Sequence, residues 1–234
     1  MKHILSIVEQ LDRAANELSA GHPVSHRLAL ILIDNVAELI IHRRCQMHAS
    51  AAKAEARFKE PNLSIIQRRK ALGVYLSEKT KILQTLGDIN ELERSFLTIC
   101  HGYRNEIYHV GLRHEDIIQA LAGEYYLFVC DIFQRMRPDI ISWSSGDVYT
   151  PIAKKYLSQS GISNIFEFDL EKIVLELENI KTSTPSLNEK LSEYANDTLD
   201  QIEKDLEFLV ADNPAGMSCS EVLMHVQFHH IFLF

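Results

Sequence analysis

The sequence predicts an all-α fold, an up-and-down helical bundle followed by an acidic helical extension. Apolar residues recur mainly at intervals of three and four, the period of an amphipathic helix. Glycine and proline, which interrupt helices, number only 9 and 6 among 234 residues. With 46% hydrophobic and 24% charged residues, the composition is that of an ordinary globular protein, so we expect little disorder.

Two helices are predicted before residue 60. The first covers about 2–20 and ends at Gly21-His22-Pro23. Ser25 is the predicted N-cap of a longer second helix. The run 28–33 is apolar on every side, so this helix should be central, and an alanine-rich stretch carries it to about 57.

Two carboxylates, Asp34 and Glu38, follow the most apolar run of the second helix. Their spacing of four places them on one face, next to a segment expected to be buried. Such residues commonly face solvent or pair with a neighbour, here His42 or Arg43. The alternative is that they are buried, since they directly follow the most apolar run of the chain.

A polar stretch at 101–111 ends the next long helix, which follows a helix over 75–86 and a turn at Gly87-Asp88. Within it, His101, Asn105 and His109 recur every four residues on one stripe, and Arg104 and Tyr108 form the neighbouring stripe. Imidazole exchanges protons near neutrality, and guanidinium offers a fork of donors to phosphate oxygens. Helix caps and solvated side chains are the competing interpretation of the same residues.

The segment Arg-Asn-x-x-Tyr-His of this all-helical chain resembles the signature of the HEPN superfamily, an arginine followed after four to six residues by a histidine. The resemblance covers roughly residues 1–140. It implies a HEPN-like helical bundle in which Arg104 and His109 are catalytic. Asn105 and Tyr108 would support them, and Asp34, Asn35 or Glu38 match the polar or acidic position that an early core helix presents to the motif. In HEPN toxins paired with a nucleotidyltransferase, a tyrosine typically follows the histidine after one residue, whereas here Val110 and Gly111 follow.

The basic residues of the first half are a candidate RNA-contacting face. They form two clusters along the sequence, and such clusters are otherwise simply solvated. The residues are His42, Arg43, Arg44, Arg68, Arg69 and Lys70.

The chain after the motif divides by charge. An aromatic-rich helix over about 115–137 is predicted to be core or a dimer interface. A loop with Trp143 follows it. We place a domain boundary there, between a HEPN-like domain, 1–145, and an acidic extension, 146–234. Residues 1–160 carry 20 Lys and Arg against 18 Asp and Glu, and residues 161–234 carry 4 against 14. The extension should therefore bind nucleic acid poorly. Helices are predicted near 170–180 and 187–210, and the ending Ile-Phe-Leu-Phe indicates a buried final segment or a truncated product.

Other signals limit the class of protein. The four cysteines, Cys45, Cys100, Cys130 and Cys219, are scattered, which is typical of reduced thiols in a cytosol. No run of 18 apolar residues and no signal-peptide core occurs, so we expect a cytoplasmic protein without a membrane span. His225, His229 and His230 lack a completing carboxylate or cysteine, and we predict neither a metal nor a cofactor.

The resemblance thus implies a metal-independent endoribonuclease, a toxin or anti-phage defence effector that acts as a homodimer on tRNA or another RNA. An antitoxin or defence-system partner would accompany it. The alternative is a non-catalytic HEPN-like module that binds RNA, a nucleotide or a protein, with the acidic extension as its interaction surface.

Overall fold

The computed structural model describes residues 2–110, 115–136, 150–159, 170–179, 184–211, 216–222 and 224. Within these ranges every regular element is an α-helix, which confirms the all-α class. The helices are α1 (Lys2–Ser19), α2 (Pro23–Glu55), α3 (Ile65–Ala71), α4 (Leu76–Leu86), α5 (Glu91–Val110), α6 (Glu115–Arg135), α7 (Pro151–Gln159), α8 (Leu170–Glu178) and α9 (Leu187–Ala211). No helix among them is both long and apolar enough to cross a membrane.

The 33-residue helix α2 is the central element, as its apolar opening predicts. It packs most extensively against α1 and α6, and it also contacts α3, α4 and α5. Leu30, Ile33, Val36 and Ile41 are among its fully buried side chains. A site on the middle of α2 therefore lies next to three or more other helices.

The predicted start of α2 was wrong. The helix begins at Pro23, and His22 is its N-cap because Nδ1 of His22 accepts a hydrogen bond from the Val24 amide, at 3.3 Å. Proline suits the first turn of a helix, where its missing N–H has no partner to lose. Ser25 consequently lies inside the first turn.

A short helix that the sequence analysis did not predict, α3, carries Arg68, Arg69 and Lys70. Ser64 caps it: the Ser64 hydroxyl accepts from the Gln67 amide, and the Gln67 side chain accepts from the Ser64 amide. This reciprocal capping box starts a helix within a few residues of Pro61.

The chain separates into two compact units, 1–185 and 186–234. The boundary predicted at 145 falls inside the first unit, because α7 contacts α1 and α8 contacts α1 and α6. Tyr156 of α7 donates to the buried Asp12 of α1, at 2.6 Å, and Tyr126 of α6 donates to the Leu177 carbonyl of α8, at 3.0 Å. The second unit contains α9, whose bounds agree closely with the predicted helix. The predicted loop around Trp143 lies outside the described residues.

Candidate active site

A cluster of five polar side chains joins α5 to the centre of α2. His101, Arg104 and Asn105 lie at positions i, i+3 and i+4 of α5, so one helix face presents all three. Asp34 and Glu38, one turn apart on α2, face them. The cluster forms because two helices with matching four-residue spacings pack side by side.

Arg104 is held by both carboxylates. Its Nε atom lies 3.0 Å from Oδ2 of Asp34 in an ion-pair contact, and its Nη2 atom donates to Oε1 of Glu38 at 3.1 Å. Nη1 donates to Oδ1 of Asn105 at 2.9 Å. Three separate contacts fix the plane of the guanidinium, and 23% of the side chain remains exposed.

His101 shares the same two carboxylate atoms. Its Nδ1 atom lies 3.0 Å from Oδ2 of Asp34 and 3.3 Å from Oε1 of Glu38. The Nδ1–H group therefore donates to the acidic pair, and Nε2 is the nitrogen left to exchange a proton with another molecule. The side chain is 26% exposed.

Tyr125 of α6 completes the cluster from the buried side. Its hydroxyl donates to Oδ1 of Asp34 at 3.1 Å, so both carboxylate oxygens of the fully buried Asp34 have partners. Burial, and then the Asp34 charge, raise the pKa of Tyr125 well above its ordinary value, so the hydroxyl stays a donor. The Tyr125 ring packs edge-on against Phe96 of α5, with centroids 5.8 Å apart.

Some of the predicted site residues meet at this cluster and others do not. The structure brings Arg104, Asn105, Asp34 and Glu38 together, whereas Asn35 is exposed and bonds to Gln10 of α1. His109 belongs to α5 by its backbone, as does Tyr108, but the side chains of both lie outside the described part of the protein. The predicted roles of His109 and Tyr108 therefore stay predictions.

Sequence reasoning gave no role to His101 or Tyr125. His101 was placed on the stripe with Asn105 and His109, and that four-residue recurrence was the available signal. Tyr125 was assigned to the core, and nothing local to it indicates its contact with Asp34, 91 residues away. Only helix packing reveals these two partners.

The basic residues of the predicted RNA face differ in whether a neighbouring carboxylate compensates their charge. Arg44 pairs with Asp88 at 2.6 Å and Lys70 with Glu78 at 2.7 Å, so their charges are locally compensated. Arg43 is exposed and donates to Gln46. A groove of about 490 Å³ between α2 and α3 is lined by Lys53, Arg68 and Arg69, together with apolar and small residues.

One set of described residues has the composition of a metal site. Asp34, Glu38 and His101 each offer a ligand atom, and these atoms lie within 4.8 Å of one another. The guanidinium of Arg104 contacts both of these carboxylates, so a cation bound between them would have to displace it or share them with it. The predicted histidines at 225, 229 and 230 lie outside the described residues.

The chain was compared with protein-family models, curated proteins and solved structures, and none of them matches.

Proposed function

We propose that the protein is a metal-independent endoribonuclease in which Arg104 and His109 act together, as the resemblance to the HEPN superfamily implies. The observation that carries the proposal is the convergence of His101 and Arg104 on Asp34 and Glu38 at a partly exposed face, with Asn105 bound to Arg104. Arginine, histidine and a carboxylate that holds them are the groups that phosphodiester transesterification needs.

In the proposed reaction, His109 takes the proton of a ribose 2′-hydroxyl. The 2′-oxygen attacks the adjacent phosphorus, and Arg104 stabilises the charge that builds on the phosphoryl oxygens. The products are a 2′,3′-cyclic phosphate and a 5′-hydroxyl. Asn105 serves this step by accepting a hydrogen bond from Nη1 of Arg104, and Asp34 serves it by an ion-pair contact with the guanidinium.

Glu38 is the part of this site that a substrate would replace. Its side chain is 38% exposed, whereas that of Asp34 is fully buried, and both contact Arg104. An RNA phosphate can therefore take the place of the Glu38 carboxylate on Nη2 without disturbing the buried ion pair. Arginine binds phosphate oxygens with the same forked geometry that it uses for carboxylates.

The proposal extends to assembly and partners. We infer a homodimer whose two motifs face one cleft, with RNA held in part by Arg43, Arg68 and Arg69. The resemblance further implies a toxin or defence effector controlled by an antitoxin or another component of its system. Growth arrest on induced expression, lost in Arg104→Ala, would support the toxin role, and growth unaffected by the wild type would count against it.

Cleavage of total RNA and tRNA in EDTA tests the function. Wild type is compared with Arg104→Ala and His109→Ala, and Arg94→Ala is the matched control because Arg94 is an arginine of the same helix that bonds to Gln84 instead. We expect cleavage with cyclic-phosphate ends in wild type and control, and a loss of at least about 100-fold in the two motif variants. Cleavage abolished by EDTA and restored by Mg²⁺ would instead assign Asp34, Glu38 and His101 to a metal.

A second candidate, the non-catalytic module, is favoured by the two ion pairs of Arg104. Both carboxylates already compensate the Arg104 charge, as in a purely structural ion pair. This hypothesis predicts RNA or nucleotide binding without product formation by wild type, and binding that is unchanged in His109→Ala. A filter-binding assay run beside the cleavage assay distinguishes the two.

A further inference from the structure

The proposed reaction needs two proton transfers, and His109 accounts for only one. The 2′-hydroxyl loses a proton as it attacks, and the 5′-oxygen gains one as its bond to phosphorus breaks. An alkoxide is a poor leaving group, so a positioned acid at the 5′-oxygen contributes typically 100-fold to 10,000-fold in rate. Within one protomer, the Arg-x-x-x-x-His motif holds no second histidine for that task.

His101 has the geometry of a proton-transfer residue. A buried carboxylate, Asp34, fixes the ring through Nδ1, as the aspartate of a catalytic triad orients its histidine. The opposite nitrogen, Nε2, is not among the buried nitrogen atoms and has no hydrogen-bond partner among the described residues. The ring is thus held at one end and open at the other.

The groups around His101 support a proton donor. Asp34 and Glu38 of α2 face Nδ1, Arg104 lies on the same helix, and Tyr125 of α6 approaches only the far oxygen of Asp34. The contacts of Asp34 and Glu38 hold the Nδ1 end of the ring and leave the Nε2 end to face a substrate. An imidazolium that has given up its Nε2 proton keeps the Nδ1–H bond to Asp34, so the ring does not have to move during the transfer.

The order of residues along α5 matches the order of atoms in the reaction. In an in-line displacement the attacking 2′-oxygen and the leaving 5′-oxygen lie on opposite sides of the phosphorus. Arg104 stands between His101 and His109 in the helix, and the two histidine Cα positions are about 12 Å apart along an ideal axis. The backbone of α5 therefore places the two histidine positions on opposite sides of Arg104 along the helix axis, which is the order that a base and an acid need in an in-line displacement.

We propose that His101, oriented by Asp34, is the general acid that protonates the 5′-oxygen leaving group. The inference rests on the ribonuclease function proposed above. As the 2′-oxygen forms its bond to phosphorus, the bond from phosphorus to the 5′-oxygen breaks and its electron pair stays on that oxygen. The oxygen takes the Nε2 proton of the His101 imidazolium, which becomes neutral imidazole.

A pair of substrates that differ in leaving group tests this role. The dinucleotide UpA expels an alkoxide that needs a proton, whereas uridine 3′-(4-nitrophenyl phosphate) expels a stable phenolate that does not. The variant is His101→Asn, because its amide can still donate to Asp34 from the position of Nδ1. His48→Ala is the control, since His48 also pairs with an aspartate, Asp88, and is 27% exposed.

In His101→Asn we expect kcat for UpA to fall by about 100-fold or more and kcat for the nitrophenyl ester by less than about 10-fold. His109→Ala should lose both reactions, and His48→Ala neither. An equal loss on both substrates, or no loss on either, would overturn the acid role of His101 while leaving the ribonuclease intact. If wild type cleaves neither substrate nor long RNA, the proposed function fails first, and the acid role falls with it.

Discussion

At the scale of single residues, the site depends on one buried carboxylate. Asp34 is fully buried, and a lone charge there would be strongly unfavourable without partners. Oδ1 accepts from Tyr125, and Oδ2 faces both His101 and Arg104. The same interactions that make the burial of Asp34 tolerable also fix the two groups that would act on a substrate.

Tyr125→Phe tests how much the hydrogen bond from Tyr125 to Asp34 contributes to stability. The change keeps the ring packing but leaves Oδ1 of Asp34 without its donor, so the free energy of unfolding in urea should fall by about 1.5–3 kcal/mol. Tyr75→Phe is the control, because Tyr75 is 68% exposed, and we expect a change within about 0.5 kcal/mol. Equal effects in the two variants would show that the Asp34 contact contributes nothing measurable.

His42 makes folding sensitive to mild acid. Burial, and then the charges of Lys79 and His3, lower the pKa of His42 below 6.5 in the folded protein. Below pH 6.5 the unfolded chain therefore binds more protons at this residue, and stability falls as the pH drops towards the folded pKa. Urea unfolding of His42→Gln from about pH 7 to about pH 5 should show a shallower decline than wild type. His3 and His26, whose pKa values are also lowered by burial, contribute part of the decline that remains. Identical slopes would exclude His42 as a source.

At the scale of elements, two helices of quite different composition meet at the site. The run 28–33 of α2, directly before Asp34, is entirely apolar, and α5 is polar along its last turns. One helix therefore supplies the buried anchor and the other the exposed groups. α6 contributes Tyr125 on the buried side of the site, and at Gly123 it passes close to the side chain of Thr184. A Cβ atom at Gly123 would lie 2.6 Å from Cγ2 of Thr184, which is closer than real contacts allow.

Two glycine substitutions should therefore have opposite effects. Gly123→Ala forces the Thr184 segment away and should lower the free energy of unfolding by about 1–3 kcal/mol. Gly102→Ala, in α5, meets nothing within 4 Å and should raise it by about 0.5–1 kcal/mol, because alanine loses less backbone entropy in a helix. Thr184→Gly should recover most of the loss in Gly123→Ala. Stabilisation by both alanines would show that the Thr184 segment does not rest against α6.

At the scale of the whole molecule, the first compact unit includes α7 and α8. Lys155 and Tyr156 both reach Oδ1 of Asp12, at 2.9 and 2.6 Å, and four apolar side chains of α8 are buried. Two thiols of this unit are also buried. Burial raises the pKa of Cys45, on α2, and of Cys130, on α6, to about 12, which keeps both protonated and unreactive.

Truncation distinguishes the observed unit from the boundary predicted at 145. A chain ending at residue 185 should keep the cooperative melting of unit 1, followed by circular dichroism. A chain ending at 145 leaves Asp12 and Tyr126 without their partners from α7 and α8, and we expect it to be less stable by about 3 kcal/mol or more. Equal melting of the two chains would instead support the boundary predicted at 145.

The sequence by itself determined the fold class and most helix bounds, because helical periodicity, scarce glycine and proline, and capping residues are local signals. It also indicated Arg104 and a carboxylate of α2 as neighbours, through the HEPN resemblance. Only the tertiary structure decided that Tyr125 and His101 share Asp34, that Asn35 does not join them, and that α7 and α8 belong to the first unit. These facts depend on which helix faces meet, and contacts between residues 67 and 91 positions apart leave no trace in the local pattern.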